Sequence, residues 1–238
     1  MGVFINKSGA IYFDGYNIKN WVSACNLEWG CEPQDATCIG HDTRQNIAGL
    51  ETAKVDFEGY DDYAAGAIDT IFNPIDGDRS VIITMCPQGV ATQGNGAYTF
   101  LADTFQYNKA LTIGEMAKFK IHSENTGAKL VSCKVLAGDQ SAGSNSNTSA
   151  YAWQAIAASE TMYASLHVTT AATDLVVKIQ SDDNSGFTSP TDRITFATTS
   201  AIGAEQKTVA GAVADTYWRV LWTRASGTAV FTVVAGIR

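Results

Sequence analysis

The chain is built from short apolar stretches that alternate with polar residues and are separated by turn residues. In AKFKIHS, for example, Phe119 and Ile121 would share one face of an extended strand. The opposite face would carry Lys118, Lys120 and His122. A period of two along most of the sequence leaves little room for helices and predicts a mainly β protein.

The first two predicted strands, VFI at 3–5 and IYF at 11–13, flank Lys7-Ser8-Gly9 and predict an opening hairpin. Further strands are predicted at 53–60, 80–85, 97–107, 117–123, 129–137, 151–157, 162–170, 174–181, 192–198, 216–224 and 229–237. One short helix is predicted at 60–74, with Asp61 and Asp62 in its first turn and Pro74 at its end. Its apolar face would consist of Ala64, Ile68, Ile71 and Phe72.

Composition changes after residue 138. The segment 139–150, DQSAGSNSNTSA, has no large apolar residue and is rich in Ser, Asn and Gly, which predicts a linker. It would join a first β domain at 1–138 to a second β-sandwich domain at 151–238. Acidic and basic residues number 16 and 10 up to residue 138 and 8 and 6 after it, so most of the net charge of −8 belongs to the first domain.

The acidic balance argues against sequence-independent binding of nucleic acid, because neutralising phosphates requires a Lys/Arg surface. No apolar run approaches the roughly 20 residues that span a bilayer, and the first residues lack the pattern of a signal peptide. We therefore expect a soluble protein made in a cytoplasm, without membrane insertion. Five cysteines, an odd number, fit a reducing compartment.

Motifs of the common enzyme classes are missing from the sequence. There is no Gly-x-Ser-x-Gly elbow, no Walker loop, no Gly-x-Gly-x-x-Gly after a strand and no His-Glu-x-x-His. The three histidines, His41, His122 and His167, fall in three separate segments. We therefore expect a protein that is not an enzyme, with no catalytic residue and no cofactor.

The segment CNLEWGCEPQDATCIGH, at 25–41, leaves three interpretations open. Its candidate zinc ligands are Cys25, Cys31, Cys38 and His41. The gaps of five and six residues between the cysteines are wider than the close pairs of structural zinc sites. A cross-strand disulfide between Cys25 and Cys31 is the second interpretation. The spacing favours the third, in which both cysteines are small hydrophobic residues on a strand face shared with Leu27 and Trp29, so we expect no metal site.

Two further candidate sites lie nearer the end of the chain. Residues 182–186, DDNSG, could form a calcium loop, but Arg193 stands where an EF-hand requires Glu, so a polar turn is favoured. Trp218 and Trp222 could form a sugar-binding platform. They share a strand face with Val220, however, and this pattern favours a sandwich core.

The order of segments resembles the major tail (tail tube) proteins of siphovirus-like bacteriophages. The segment ATCIGHDTRQNIAGL, followed by a strand and DYAAGAIDTIF, resembles that family's pattern at Thr37, Ile39-Gly40, Arg44 and Ala48-Gly49-Leu50. FINKSGAIYFDGYNIKNWVSACNLEW and GEMAKFKIHSENTGAKLVSCKVLAG are similar to the family's opening hairpin and closing strands. MYASLHV, VVKIQSDDNSGFTSPTDRITF and DTYWRVLWT resemble the β-sandwich appended to many tail proteins.

The resemblance implies a tail-tube-like β-barrel or sandwich followed by an outer decoration domain. It implies a virion protein that self-assembles into rings, typically hexamers, which stack into a tube. DNA would pass through the lumen without specific binding, and other tail proteins would be partners. Residues 28–50 and 86–97 would be reaching loops, with Cys25 inside a strand and Cys31 and Cys38 bracketing a loop at a neighbouring subunit. The alternatives are a carbohydrate- or receptor-binding protein and a ring-forming tail adaptor.

Overall fold

The structure, a computed structural model, describes residues 9–39, 42–64, 66–73 and 80–238. Within these residues, sixteen strands and one helix confirm the predicted mainly β fold. In chain order they are β1 (Ala10–Phe13), β2 (Tyr16–Asn17), β3 (Val22–Asp35), β4 (Asn46–Tyr60), α1 (Ile68–Phe72), β5 (Ser80–Cys86), β6 (Gly96–Ala110), β7 (Lys118–Asn125), β8 (Val131–Ala142), β9 (Ser146–Asn147), β10 (Tyr151–Ala152), β11 (Thr161–Thr170), β12 (Val176–Asp182), β13 (Thr191–Thr195), β14 (Gly203–Ala210), β15 (Tyr217–Thr223) and β16 (Ala229–Ile237). No helix in the described ranges is long and apolar enough to span a membrane.

The chain forms two compact units that are interleaved in sequence. Unit 1 comprises Met1–Asn20, Val81–Thr99 and Val131–Arg238. Unit 2 comprises Trp21–Ser80 and Phe100–Leu130. The two segments that form unit 2 are therefore insertions in the sequence of unit 1.

Unit 1 contains two sheets. In the larger one the strand order is β14-β11-β16-β8-β6-β5-β1-β2, and in the smaller one it is β10-β15-β12-β13, with β9 also paired to β15. Alternate residues of β15 and β16 are fully or almost fully buried and belong to one apolar core. They include Trp218, Val220, Trp222, Phe231 and Val233. The core interpretation of the two tryptophans is confirmed, and neither is available as a sugar platform.

The larger sheet of unit 1 curls, so that the turn between β1 and β2 lies against β11 and β14. The backbone N–H of Gly15, in that turn, donates to Nδ1 of His167 on β11 at 3.3 Å. Gly15 has φ of +91°, and a Cβ there would lie 2.5 Å from the carbonyl oxygen of Gly203. Glycine is required at this point because both the backbone conformation and the close approach exclude a side chain.

Unit 2 is a four-stranded antiparallel sheet in the order β3-β4-β7-β6. Phe57 on β4 is the register partner of Ile121 on β7, and both are fully buried. The helix α1 is joined to the sheet by the ring of Phe72, whose centroid lies 5.8 Å from that of Tyr107. Burial alternates along β7 as the sequence predicted, with Phe119 and Ile121 inside.

The predicted division at residues 139–150 differs from the observed units. β8 continues through residue 138 to Ala142, where it pairs with Ala229 of β16. The polar residues that follow are hydrogen-bonded to β15 and its end: the carbonyl oxygen of Ser144 accepts the indole N–H of Trp222, and Asn145 Oδ1 accepts the N–H of Arg224. Their polarity reflects an exposed strand end. The residues of β16 that pair with β8 lie some ninety residues further along the chain. The local composition of 139–150 therefore does not predict this pairing.

The helix is shorter than predicted. Tyr60 ends β4, and α1 begins only at Ile68, with Asp69 in its first turn. Asp62 accepts the backbone N–H of Ala64 at 3.0 Å and the indole N–H of Trp21 at 3.2 Å. These local and tertiary hydrogen bonds compete with a helical turn at this point. The predicted stop at Pro74 and the strand at 3–5 lie outside the described residues; the strand at 11–13 falls within β1, which pairs with β2.

Candidate functional site

Exposed large apolar side chains are concentrated in unit 2. Of the eleven found among the described residues, only Ile202 lies in unit 1. The other ten are Trp29, Ile39, Ile47, Leu50, Tyr60, Tyr63, Phe105, Leu111, Ile113 and Met116. A surface of this kind marks a protein–protein contact when its members are grouped, because exposing a large apolar patch to water is unfavourable.

One group lies on a projection that we call the arm, residues 30–39 and 42–52. β4 pairs with β7 only between Lys54 and Tyr60, whereas its pairing with β3 continues to Asn46. The arm is therefore a two-stranded extension beyond the four-stranded sheet, and its seven β4 residues 46–52 span about 23 Å. Ile39 and Leu50 are 109% and 81% exposed.

The second group lies at the opposite end of the sheet, which we call the loop end, residues 60–63 and 109–118. The backbone N–H of Asp61 donates to the carbonyl oxygen of Ala117 at 2.9 Å, which holds the two segments together. The loop end exposes Tyr60, Tyr63, Leu111, Ile113 and Met116. The sequence interpretation missed this surface, although Leu111 and Ile113 beside Gly114 are apolar residues in a turn rather than in a strand.

β3 is the edge strand of unit 2. Among the described residues it pairs with one strand, β4, and nearly all of its fourteen residues are exposed. A long exposed edge strand is a template for pairing with another chain unless it is covered. Residues 28–50, expected to be a loop, are thus mostly strand. The expectation failed because β3 continues to Asp35 and β4 begins at Asn46, although these stretches are polar and contain glycine.

One face of the unit 2 sheet carries charges of both signs. Lys54 on β4 pairs with Glu124 on β7 at 3.1 Å. Lys120 on β7 pairs with Glu58 on β4 at 2.9 Å. These exposed pairs contribute little to stability, but they give the face an alternating pattern in which each of these lysines is matched by a carboxylate.

His122 lies between two carboxylates on this face. Its Nδ1 is 2.9 Å from Asp56 Oδ1 and its Nε2 is 3.1 Å from Glu124 Oε1. The hydrogen bond to Asp56 raises the pKa of His122, partial burial opposes this, and Glu124 adds to the rise. The stability that His122 adds to unit 2 is present below its ordinary pKa and is lost as pH rises through the raised pKa.

Replacing Asp56 by Asn is expected to move the pKa of His122 downward, because the neutral amide removes the main partner of the imidazolium. NMR titration of the His122 ring protons measures this change. Asp103→Asn is the matched control, since Asp103 is hydrogen-bonded to Ser80 instead. An unchanged His122 pKa in Asp56→Asn would contradict the assigned contact.

A buried polar chain lies inside the curled sheet of unit 1. Because the N–H of Gly15 can only donate, Nδ1 of His167 accepts, and Nε2–H must donate to Thr84 Oγ1 at 2.7 Å. Thr84 is 2.9 Å from Thr99 Oγ1, which in turn lies 3.0 Å from Ser165 Oγ. His167 is fully buried, and burial lowers its pKa to about 3. Each polar side-chain atom in this series of hydrogen bonds has a partner, so the series fits a structural role.

The remaining sequence candidates fall into ordinary structural positions. Cys25 and Cys31 both lie on β3 and are exposed, and none of the five cysteines forms a disulfide. Cys31 therefore lies within β3 and does not border a loop, and Cys25 is exposed on the same strand rather than packed inside it. His41 lies outside the described residues. In the part of the chain that the structure describes, no group of three His, Cys, Asp or Glu residues could hold a metal ion.

The segment at 182–186 forms a turn between β12 and β13. Asp182 accepts the backbone N–H of Ser189 at 2.9 Å and that of Asn184 at 3.1 Å, and these bonds lower its pKa. Asn184 Oδ1 accepts the N–H of Gly186 at 2.7 Å. The side-chain oxygens of Asp182 and Asn184 thus stabilise the turn by accepting its backbone N–H groups.

No family model and no curated protein sequence matches the chain. Solved structures with detectable similarity include a chain from the virion of a native gene transfer agent particle, with 14% identity over 54% of this chain and 98% of that one, at a TM-score of 0.43. The Dit protein of SPP1, described as a hub adsorption apparatus protein of phages infecting Gram-positive hosts, has 12% identity over 98% of this chain and 100% of its own, at a TM-score of 0.38. Both TM-scores lie below 0.5, a similarity too low to assign a function.

Proposed function

We propose that the chain is a structural protein of a bacteriophage tail that self-assembles into stacked rings and forms the tail tube. The observation that carries the proposal is the surface of unit 2, where a fourteen-residue edge strand occurs together with ten exposed large apolar side chains. The resemblance to tail tube proteins supports the same assignment. In this role the protein would belong to the tail of the virion after synthesis in the host cytoplasm, without membrane insertion.

The edge strand gives the assembly its lateral contact. β3 of one subunit would pair with a strand of unit 2 in the next, so that the sheets join around a ring. A contact between two different surfaces gives a closed ring when the rotation from one subunit to the next is a whole fraction of a full turn. Stacked rings then give a tube. The resemblance implies six subunits per ring, with other tail proteins at the ends of the tube.

Charge makes unit 2 suitable as the wall of a DNA conduit. Lys54 and Lys120, on the charged face of the sheet, are matched by carboxylates, and Lys129 is paired with Glu51. The chain as a whole has a net charge of −8. Because DNA adheres to surfaces of unpaired Lys and Arg, a wall of this kind would let it pass without specific binding. The proposed role requires neither catalysis nor a cofactor.

Negative-stain electron microscopy of the purified full chain, across a concentration series, tests the proposal. Tubes of stacked rings are the expected result. Single rings that never stack would favour the alternative of a ring-forming tail adaptor. A strict monomer at all concentrations, above all one that binds glycans, would overturn the tube assignment.

The double variant Cys31→Ser and Cys38→Ser is expected to assemble as the wild type does. Both side chains are exposed and neither forms a disulfide. The hydrogen bond from Cys38 Sγ to the carbonyl oxygen of Ala36, at 3.7 Å, can also be made by a serine hydroxyl of similar size. The same images, with and without reductant and chelator, measure this. Dissolution of wild-type tubes by reductant or chelator would restore the disulfide or zinc interpretation.

A further inference from the structure

A lysine ammonium lies between two carboxylates beside the loop end of unit 2. Lys109, on β6, contacts the carboxylate of Asp69, on α1, and its Nζ lies 3.8 Å from Asp61 Oδ2. The rings of Tyr63 and Tyr107 lie beside the same ammonium, with their centroids 4.9 Å and 5.1 Å from Nζ. We call these five residues the Lys109 cluster.

The charged groups of the Lys109 cluster are largely shielded from water. The side chain of Asp61 is fully buried, that of Asp69 is 16% exposed and that of Lys109 is 28% exposed. Charges in such surroundings are unfavourable unless opposite charges match them. Here one ammonium faces two carboxylates, so one negative charge is left in excess.

One oxygen of the cluster has no hydrogen-bond donor. Among the described residues, Asp61 Oδ2 is buried and accepts no hydrogen bond, because Lys109 Nζ at 3.8 Å is too far away to donate one. The hydroxyl of Tyr107 lies 3.2 Å from Asp61 Oδ1 and 3.3 Å from Asp69 Oδ1, so it serves the other oxygens. Native proteins rarely leave a buried polar atom without a partner, and Asp61 Oδ2 therefore requires more than an ordinary ion pair.

The contact between Lys109 and Asp69 has the components of an amide bond, whose formation needs a neutral amine and a neutral carboxyl group. The hydrogen bond to Asp69 raises the pKa of Lys109, so the amine is not freed by loss of a proton to water. Transfer of the ammonium proton to Asp69 across the contact supplies both neutral groups at once. Shielding from water favours this neutral pair relative to the ion pair.

The reaction that follows releases one water molecule. The lone pair of Lys109 Nζ attacks Cγ of Asp69, and Asp61 Oδ2 accepts a proton from Nζ and returns it to the departing hydroxyl of Asp69. No oxidant, reductant or activated co-reactant is required. Because the sheet and α1 hold the reacting groups in contact, the step is intramolecular and strongly accelerated. The amide N–H of the product faces Asp61 Oδ2, the oxygen that lacks a donor.

We propose that Lys109 and Asp69 form an intramolecular isopeptide bond, with Asp61 as the group that transfers the proton. The bond joins β6 to α1 and closes residues 69–109 into a covalent loop, which restricts the unfolded chain and so stabilises unit 2. The reaction takes place once in each chain. It lies within one subunit, so its test is independent of whether the protein assembles.

The mass of the denatured full chain tests the bond. We expect the purified protein to be lighter than its sequence mass by one water molecule, about 18 Da. Trypsin should then give a branched peptide in which residues 55–79 are joined to 80–118, uncleaved after Lys109. A protein with its full sequence mass would overturn the proposal. Loss of water at another place, such as a succinimide at Asp76-Gly77, would overturn it as well.

Two variants and a control assign the roles within the cluster. Lys109→Arg keeps the positive charge but has no nucleophilic amine, so it is expected to have its full sequence mass. Asp61→Asn cannot transfer the proton and is expected to leave most chains without the bond. Lys120→Arg changes an exposed ion pair with Glu58 on the same sheet and should lose water as the wild type does. Loss of water in Lys109→Arg, or complete reaction in Asp61→Asn, would contradict the assigned roles.

Discussion

Trp218→Ala is expected to lower the free energy of unfolding by about 3–5 kcal/mol, the range typical of buried Trp→Ala substitutions. Trp218 is fully buried in the core of unit 1, with its ring 6.3 Å from that of Trp153 in an edge-on arrangement. Its indole N–H donates to the carbonyl oxygen of Gln154 at 3.3 Å. Truncation leaves a cavity and removes that hydrogen bond. Urea unfolding followed by circular dichroism measures the loss.

Trp29→Ala is the matched control, because it makes the same chemical change at a side chain that is 58% exposed. We expect its effect on the free energy of unfolding to stay within about 0.5 kcal/mol. A Trp218→Ala protein as stable as Trp29→Ala would contradict the burial. If such a protein also lost affinity for a glycan, the sugar-platform interpretation would return.

His167→Leu is expected to cost about 2–4 kcal/mol of stability. Leucine fills much of the space of the imidazole but leaves the N–H of Gly15 without its acceptor and Thr84 Oγ1 without its donor. It also removes the stacking of His167 on Tyr12, whose ring centroid is 5.3 Å away. Chemical denaturation at neutral pH measures the effect, and Asn, which can keep one of the hydrogen bonds, should lose less.

The same histidine predicts how stability depends on pH. Burial lowers the pKa of His167 to about 3, whereas the unfolded chain binds a proton near the ordinary value of about 6.5. Between these values the unfolded state binds more protons, so stability falls as pH falls, by up to about 1.4 kcal/mol per pH unit from this group. Above the ordinary pKa the group has no further effect.

Comparison of wild type and His167→Leu between pH 7 and pH 4 isolates this contribution, since the carboxylates titrate in both proteins. As pH falls, the free energy of unfolding of the variant should decrease less steeply than that of the wild type, by the contribution of one bound proton. His122→Leu is the control: because its pKa is raised rather than lowered, it should not reduce the acid sensitivity. Parallel curves for wild type and His167→Leu would show that His167 is accessible to protons in the folded state.

The strands could be predicted wherever one face is buried and the other is not. Phe119 and Ile121 alternate with charged residues, and the structure buries them as the period of two requires. The face of β15 that carries Trp218, Val220 and Trp222 is likewise buried. The strand β14 was missed, because Glu205, Gln206 and Lys207 are consecutive polar residues on a half-exposed edge where neither face is strongly apolar.

The arrangement of the strands could not be read from local sequence. Residues 139–142 complete β8, which pairs with β16 some ninety residues later, and the polar residues of 143–150 lie at the surface. Solvation, rather than flexibility, explains their composition. Long-range pairing also decides that unit 2 leaves and re-enters unit 1, a feature that no single window of sequence contains.

The surface that we propose for assembly could be predicted only in part from the sequence. The spacing of the cysteines in residues 25–41 favoured small residues on a strand face, and the resemblance implied that 28–50 would reach a neighbouring subunit. What the sequence could not show is that Leu50 and Ile113 are exposed, since both lie in stretches whose apolar content fits a core equally well. Exposure is a property of the assembled sheet, and β7 ends too early to cover the arm.

Assembly through unit 2 is tested most directly by cryo-electron microscopy of the assembled wild-type protein. The reconstruction should show stacked rings in which β3 of each subunit pairs with a strand of unit 2 in its neighbour. The tryptophan-rich core of unit 1 should remain intact within each subunit. Rings held together by unit 1 alone, with β3 and the arm free in solvent, would contradict the proposed role of unit 2.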